Sequence, residues 1–260
     1  MSTKQQELSG LVAVVTGASS GIGRATALEL AAAGADLIVH ASRPRPALDA
    51  LVKELQQLGV QATSVTADFS EQAAQDQFFA QAWQWRNRVD IWVNNAGVDV
   101  LTGEAARWPF EQKLAALWQV DVAATLRLSR LAAAKMREQG SGCIINTGWD
   151  QAEQGMAGDS GQIFAAVKGA VMAATRSLAQ SFAPQVRVNC VAPGWIQTSW
   201  GQGASEAWHT RAKKESLLDR WGTPEDVARA TRFLASPSAS FITGQVLAVN
   251  GGFRFGSATS

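Results

Sequence analysis

Residues 11–15, Leu-Val-Ala-Val-Val, run directly into Thr16-Gly-Ala-Ser-Ser-Gly-Ile-Gly23, and an Ala- and Leu-rich stretch over 24–33 follows before Gly34. This succession narrows the fold more than any other feature of the chain. A short, apolar, β-branched run reads as a strand buried on both faces. Glycines at 17, 21 and 23 let the backbone turn tightly and approach a ligand with no Cβ in the way. The stretch behind them reads as a helix closed by a glycine C-cap. A strand, a glycine turn and a helix in this order offer free N–H groups and a positive helix-dipole end to a bound pyrophosphate. The same turn also serves as a purely structural connection in other chains.

The alternation continues to the end of the sequence. Strands are predicted at 37–39, 61–66, 91–93, 143–147, 186–191 and 246–249, and helices at 46–58, 71–85, 111–136, 161–182 and 224–234. Such a series predicts a parallel sheet with helices on both faces, an α/β doubly wound domain. At 260 residues, one such domain accounts for the whole chain, 1–260. Only residues 195–219 break the rhythm. They are polar, carry Gly201 and Gly203, and are too long for an ordinary connection, so a lid or substrate loop is expected there.

Composition removes several function classes. Lys plus Arg (23) against Asp plus Glu (22) leaves a net charge of +1, which predicts no nucleic-acid surface and no polybasic membrane patch. Cys143 and Cys190, with His40 and His209, are too few and too scattered for a disulfide framework or a metal site. No apolar run reaches the roughly 18 residues that span a bilayer, and a cytoplasmic protein is expected. Ten Trp stand beside no Tyr at all, so no mechanism here uses a phenol.

Four motifs then fall in order. They are the glycine turn, Asn94-Asn-Ala-Gly97 behind the fourth strand, Asn189-Cys-Val-Ala-Pro-Gly194 followed by Thr198, and Val249-Asn-Gly-Gly252. With them the chain resembles the short-chain dehydrogenase/reductase family over nearly its whole length. The resemblance implies a single Rossmann-type domain with a seven-stranded parallel sheet, a nicotinamide cofactor, a small-molecule substrate and a homotetramer. It places Gly17, Ser19, Ser20, Gly21, Ile22, Gly23, Asn95, Ala96, Gly97, Lys168, Pro193, Gly194, Ile196 and Thr198 around the cofactor. Asp68 resembles the family's acid that bonds the adenine.

An acid at the end of the second strand would grip the ribose 2′-OH of NAD, whereas Arg there accepts the 2′-phosphate of NADP. The strand runs on to Ala41-Ser-Arg43 with no acid near its end. Ser42 and Arg43 can bond a phosphate, with Arg45 and Arg24 as further candidates, so NADP is expected over NAD. The same arginines also read as solvated surface groups.

The resemblance also shows what is missing. Phe164-Ala-Ala-Val-Lys168 aligns with the family's Tyr-x-x-x-Lys, with Phe164 at the Tyr. The family's Ser falls at Trp149 when counted from the fifth strand and at Gln151 when counted back from Phe164. Its Asn corresponds to Asp121. Of four catalytic positions only Lys168 is kept.

Asp121 shares an apolar helix face with Leu114, Leu117, Ala124, Leu128 and Leu131 by 3.6-residue spacing. It is read either as an acid that accepts backbone N–H bonds at a helix distortion or as a catalytic one. Asp150, behind a strand end that faces the site in open α/β sheets, is the first choice of catalytic acid. Asp159 or Ser160 reads as a helix N-cap. Trp149, Phe164, Trp195 and Trp200 are expected in the substrate pocket, with Trp208 and Trp221 near it, either as core and lid packing or as a cage for a sugar, a flat ring or a cation. Two functions follow. One is an NADP-dependent oxidoreductase with a non-standard acid/base. The other is a cofactor-binding pseudoenzyme, a sensor or scaffold.

Overall fold

Successive residues of a strand point to opposite faces of its sheet, and this chain uses both faces for apolar burial. In β1 (Val12–Val15), Val12 and Val14 join one core while Ala13 and Val15 join the other. In β4 (Ile91–Asn94), Ile91 and Val93 face one way and Trp92 the other. A sheet apolar on both sides needs two helical layers, and the structure provides them. It is a computed structural model and describes residues 6–198, 201 and 203–254.

Seven parallel strands lie in the order β3-β2-β1-β4-β5-β6-β7. The others are β2 (Asp36–Ala41), β3 (Ala62–Thr66), β5 (Gly142–Thr147), β6 (Val186–Pro193) and β7 (Val246–Val249). Helices α1 (Gly21–Ala32) and α2 (Pro46–Gln57) supply one layer, with the helix over Pro224–Ala235 that closes the series. Helix α3 (Gln72–Arg86) packs on the other face, followed in the chain by α4 (Phe110–Leu117) and α5 (Thr125–Gln139). The α/β doubly wound sheet expected from the sequence is thus the fold observed. Between β1 and β4 the strand order reverses, and a cleft opens above their carboxyl ends.

Three expectations need correction. The helix predicted over 111–136 is two helices, α4 and α5, joined by a π-helical stretch, Trp118–Ala124. The π stretch adds a residue to the turn and shifts the buried stripe of α5 to Leu128, Ser129, Ala132, Ala133 and Met136, away from the unbroken spacing through Leu131 that the sequence suggests. The segment 195–219 is not irregular throughout. After the four-residue α6 (Gln151–Gln154) and the long α7 (Asp159–Phe182), the chain forms α8 (Glu206–Glu215) inside it. With that helix placed, the last one, Pro224–Ala235, is α9. Finally, neither Asp159 nor Ser160 caps α7. Its N-cap is Gly158, at φ 91°, and both residues lie in the first helical turn. No helix among the described residues is long and apolar enough to cross a membrane.

A buried polar knot joins the layers beneath the cleft. Asn94 Nδ2 donates to Ser129 Oγ of α5 at 2.8 Å and to Asn146 Oδ1 of β5 at 2.9 Å. Asn146 Nδ2 donates to Thr175 Oγ1 of α7 at 3.0 Å, and Trp92 Nε1 closes on Asn94 Oδ1 at 2.9 Å. All five residues are buried. Removing one member leaves buried donors unpaired, so Asn146→Leu should lower stability by about 1–3 kcal/mol. Urea unfolding of the two proteins checks this; an unchanged midpoint would show that the knot carries no such weight.

Candidate active site

The glycine turn is built by what surrounds it. A Cβ on Gly23 would lie 2.2 Å from the Gly17 carbonyl oxygen and 2.5 Å from Asn95 Nδ2. One on Gly17, itself at φ +65°, would lie 2.8 Å from Ala96 Cα. Asn95 and Ala96 both donate their backbone N–H to Thr16 Oγ1 at 3.0 Å, and the Asn95 side chain donates to the Thr16 and Gly17 carbonyls at 3.1 Å. Asn95 and Ala96, read from the sequence as cofactor residues, are therefore the clamp that shapes the turn. Thr16 completes that clamp. Ser20 is the N-cap of α1 but makes no capping hydrogen bond, which leaves the first-turn amides uncapped by any side chain. A shallow, glycine-walled cradle at an uncapped helix N-terminus fits a pyrophosphate. Thr198, after β6, comes within van der Waals reach of a Cβ built on Gly21 and closes the far side.

Behind the turn sits His40, buried at the end of β2. Its Nε2 lies 2.9 Å from the Ala67 carbonyl and its Nδ1 3.3 Å from Gly17 N. A carbonyl only accepts and an amide N–H only donates, so the ring is the neutral Nε2–H tautomer. Burial holds its pKa down at about 4, against the pull of Ala67 and Asp68. The ring stacks on Phe69 with centroids 4.0 Å apart. Sequence reasoning gave His40 no role. The signal available was a polar residue inside a buried strand.

At the edge of the same region Ser42 and Arg43 are exposed, and Arg43 and Arg45 have no ion-pair partner among the described residues. Arg24 differs, held by Glu54 at 2.6 Å. Asp68 is exposed and accepts from the Ser70 N–H and hydroxyl through one oxygen, which leaves the other for a ligand.

A cleft of about 520 Å³ continues from the turn. Ile22, Pro193, Gly194, Ile196, Thr198 and Lys168 border it on the side predicted for the cofactor. Trp149, Phe164, Trp195 and Trp208 form its aromatic wall, and Leu101, Met156, Thr147 and Ser160 complete it. Leu101, Met156 and Thr147 were given no role from the sequence, and Ser160 was read there only as a helix cap. Trp149 and Phe164 meet edge to face, centroids 6.1 Å apart. Of the two alignments for the missing Ser, the one on Trp149 matches the cleft, since Gln151 is buried at the start of α6. That short helix supplies the extra residues of the loop. Trp221 is buried behind Trp195, 6.1 Å between centroids, and Trp200 lies outside the described residues.

Asp121 is drawn into the site by the π-helical stretch. Its Oδ1 accepts from Val98 N at 3.0 Å, and its Oδ2 lies 2.8 Å from Lys168 Nζ. The residue is buried, and a Cβ on Gly97 would come within 2.7 Å of Oδ2. Gly97 is thus the gap through which the carboxylate passes. Asp121 is thus a backbone acceptor at a helix distortion, one of the two roles expected of it, and it also pairs with Lys168.

Asp150 behaves differently from the expectation that made it first choice. Its Oδ1 accepts from Gln151 N at 2.8 Å and its Oδ2 from Asn250 Nδ2 at 3.0 Å. It caps α6 and ties β5 to the segment after β7, and it is not among the residues that line the cleft. The backbone turns into α6 at this point and carries the carboxylate away from the opening. Burial pushes its pKa from 3.8 up to about 6, opposed by the Asn250 and Gln151 hydrogen bonds and aided by Glu215.

The comparisons with known proteins agree with this architecture. The family model described as enoyl-(acyl carrier protein) reductase matches residues 17–254. The chain is 34% identical to the 3-oxoacyl-[acyl-carrier-protein] reductase FabG of Aquifex aeolicus (strain VF5), over 95% of this chain and 98% of that one. Among solved structures, a 7α-hydroxysteroid dehydrogenase complexed with NADH and 7-oxo-glycochenodeoxycholic acid superposes with a TM-score of 0.87 at 30% identity, covering 97% of this chain and 98% of that one. A 3-oxoacyl-(acyl-carrier-protein) reductase from Agrobacterium tumefaciens C58 with NADP bound gives 0.85 at 30% identity, over 95% and 96%. The chain belongs to the short-chain dehydrogenase/reductase family, whose members are nicotinamide-dependent oxidoreductases.

Asp150 generates a test. Folding raises this acid's hold on its proton, so the folded state binds more protons than the unfolded between about pH 4 and 6. Its contribution to stability is whole below that window and is lost as pH rises through it, by about 1–3 kcal/mol. His40 acts in the opposite sense, losing stability as pH falls from 6.5 toward 4. Comparing urea unfolding of wild type and Asp150→Asn at pH 4 and 7.5 isolates the acid. The variant should gain stability relative to wild type at the higher pH; equal differences at both would contradict the assignment.

Proposed function

We propose that this protein is an NADP-dependent oxidoreductase acting on a small organic substrate, with the Lys168–Asp121 pair in place of a phenol as its acid/base. One observation supports this reading above the others. Lys168 is the titratable side chain on the described wall of the cleft, and a buried carboxylate 2.8 Å away keeps its ammonium in place. Asp150, with both oxygens committed elsewhere, becomes a positioning residue.

The cofactor, when bound, supplies the hydride. The glycine cradle and the amides of α1 hold its pyrophosphate, and Asp68 its adenine. Ser42 and Arg43 take the 2′-phosphate, the feature that favours NADP. Phe164 and Trp149 exclude water from the reacting centre without offering a proton. Lys168 would donate a proton from Nζ to the substrate oxygen and recover one from solvent. Asp121 fixes the direction of Nζ. With Phe164 where the family carries its Tyr, simple ketones should be reduced slowly. General acid catalysis is worth about 10²–10⁴-fold.

Lys168→Met should abolish turnover and weaken NADPH, whereas Asp150→Asn should retain turnover. Phe164→Tyr should raise the rate on simple ketones if the rest of the site is built for hydride transfer. Brisk native reduction of such ketones would contradict the proposal. Absence of turnover across a broad substrate panel, in native and Phe164→Tyr protein alike, would favour the cofactor-binding sensor or scaffold.

NADPH should bind more tightly than NADH, and Arg43→Ala should cost NADPH about 1–3 kcal/mol with little effect on NADH. Calorimetric titration of both cofactors decides this, and equal losses for the two would sink it.

The outer face of α7 supports a homotetramer. Ala166 and Ala173 are exposed, and nothing lies within 4 Å of a Cβ built on Gly169, so a second copy can pack closely there. Sedimentation at micromolar concentration should show an assembly; a monomer would refute it.

A further inference from the structure

The cleft has a composition that selects one kind of molecule. Its aromatic wall is two pairs, Trp149 with Phe164 and Trp195 with Trp208. The second pair is fixed from behind. Trp195 Nε1 donates to Glu215 Oε2 at 2.7 Å, so its polar atom is spent outside the cleft. Arg211 pairs with Glu215 at 2.6 Å and lies over both indoles, 5.6 Å from Trp195 and 5.0 Å from Trp208. Rings already held in place lose little freedom when a ligand stacks on them.

Charge narrows the choice further. The one charged side chain on the described lining is Lys168, and Asp121 neutralises it at 2.8 Å. Among the described residues no carboxylate lines the cleft, because Asp121 is buried behind Gly97 and Asp150 bonds Asn250. An aromatic cage that recognises a cation does so with ring faces, but Trp195 and Trp208 already carry the Arg211 guanidinium on a face, and no acid on the described wall adds to them. An anion would find the ammonium already paired. A sugar needs many hydrogen-bonding groups, and the hydroxyls on the described wall are few, those of Ser160 and Thr198, with that of Thr147 buried. Aromatic faces with few polar atoms favour offset or edge-on contact with a planar apolar ring system.

We infer that the substrate of this cleft is neutral, planar and largely apolar, a fused-ring or aryl carbonyl compound or the corresponding alcohol. The inference rests on the reading of the cleft as a hydride-transfer site, but it can be tested by binding alone.

The probes are 2-acetylnaphthalene, its 6-carboxylate and 6-trimethylammonium derivatives, and the aliphatic 2-dodecanone, titrated calorimetrically into protein saturated with NADP⁺. The neutral naphthyl ketone should bind at least tenfold more tightly than each of the other three. Trp208→Ala should weaken it at least fivefold and Trp208→Phe should restore most of the loss, with the NADP⁺ affinity of both variants unchanged as the check on folding. Equal or tighter binding of a charged derivative or of the aliphatic ketone overturns the inference, as does an unchanged affinity in a folded Trp208→Ala protein. NADPH oxidation is read separately on the same compounds. Tight, selective binding without turnover would contradict the oxidoreductase reading and leave the ligand class standing. Turnover of 2-dodecanone as efficient as that of the naphthyl ketone would do the reverse.

Discussion

The hydrogen bonds from Asn94 to Ser129 and Asn146, and from Asn146 on to Thr175, are the constraint on which the rest of the site depends. Two central strands end at this knot, and α5 and α7 are pinned to them through it. The π-helical stretch that carries Asp121 leads directly into α5, and Lys168 lies two turns before Thr175 on α7. The 2.8 Å contact between Asp121 and Lys168 is therefore set by the distance between two helices, each moored to the sheet by a buried amide. In a low-dielectric interior such a network is rigid when every member is satisfied. The sheet fixes the helices, and the helices fix the charged pair.

The strands were legible in the sequence because each is an apolar run interrupted by a turn signal; their order across the sheet came from the structure. Lys168, Phe164 and Trp149 were legible through the family resemblance, and Trp195 through its place in a segment expected to border the pocket. Asp121 was legible as an anomaly on an apolar face, but its partner was not. The contact joins residues 47 positions apart across a widened helical turn. Asp150 shows the opposite failure. Position after a strand end suggested an acid facing the cleft, yet local capping of α6 and the Asn250 amide claim both oxygens. Position along a chain says which end of the sheet a residue occupies. It does not say where a short side chain is turned by the next hydrogen bond.

His40 shows how far the cofactor turn depends on groups no motif mentions. A neutral imidazole bridges the Gly17 amide and the Ala67 carbonyl, so the glycine turn and the loop after β3 are held at a set separation. A protonated ring would present a donor to the Gly17 N–H and lose that bond. Burial against Phe69 and Phe78 keeps the proton off. The aromatic packing and the placement of the turn are one device.

The absence of Tyr has an optical side. With ten Trp and no Tyr, near-ultraviolet emission of this protein comes from indole alone, and Trp149, Trp195 and Trp208 border the cleft itself. Reduced nicotinamide absorbs where indole emits, so a dihydronicotinamide bound across the cleft from these rings would drain their excited state by energy transfer, while its oxidised form would not. Emission from the rings that wall the cleft would thus report whether a nicotinamide bound there is reduced or oxidised.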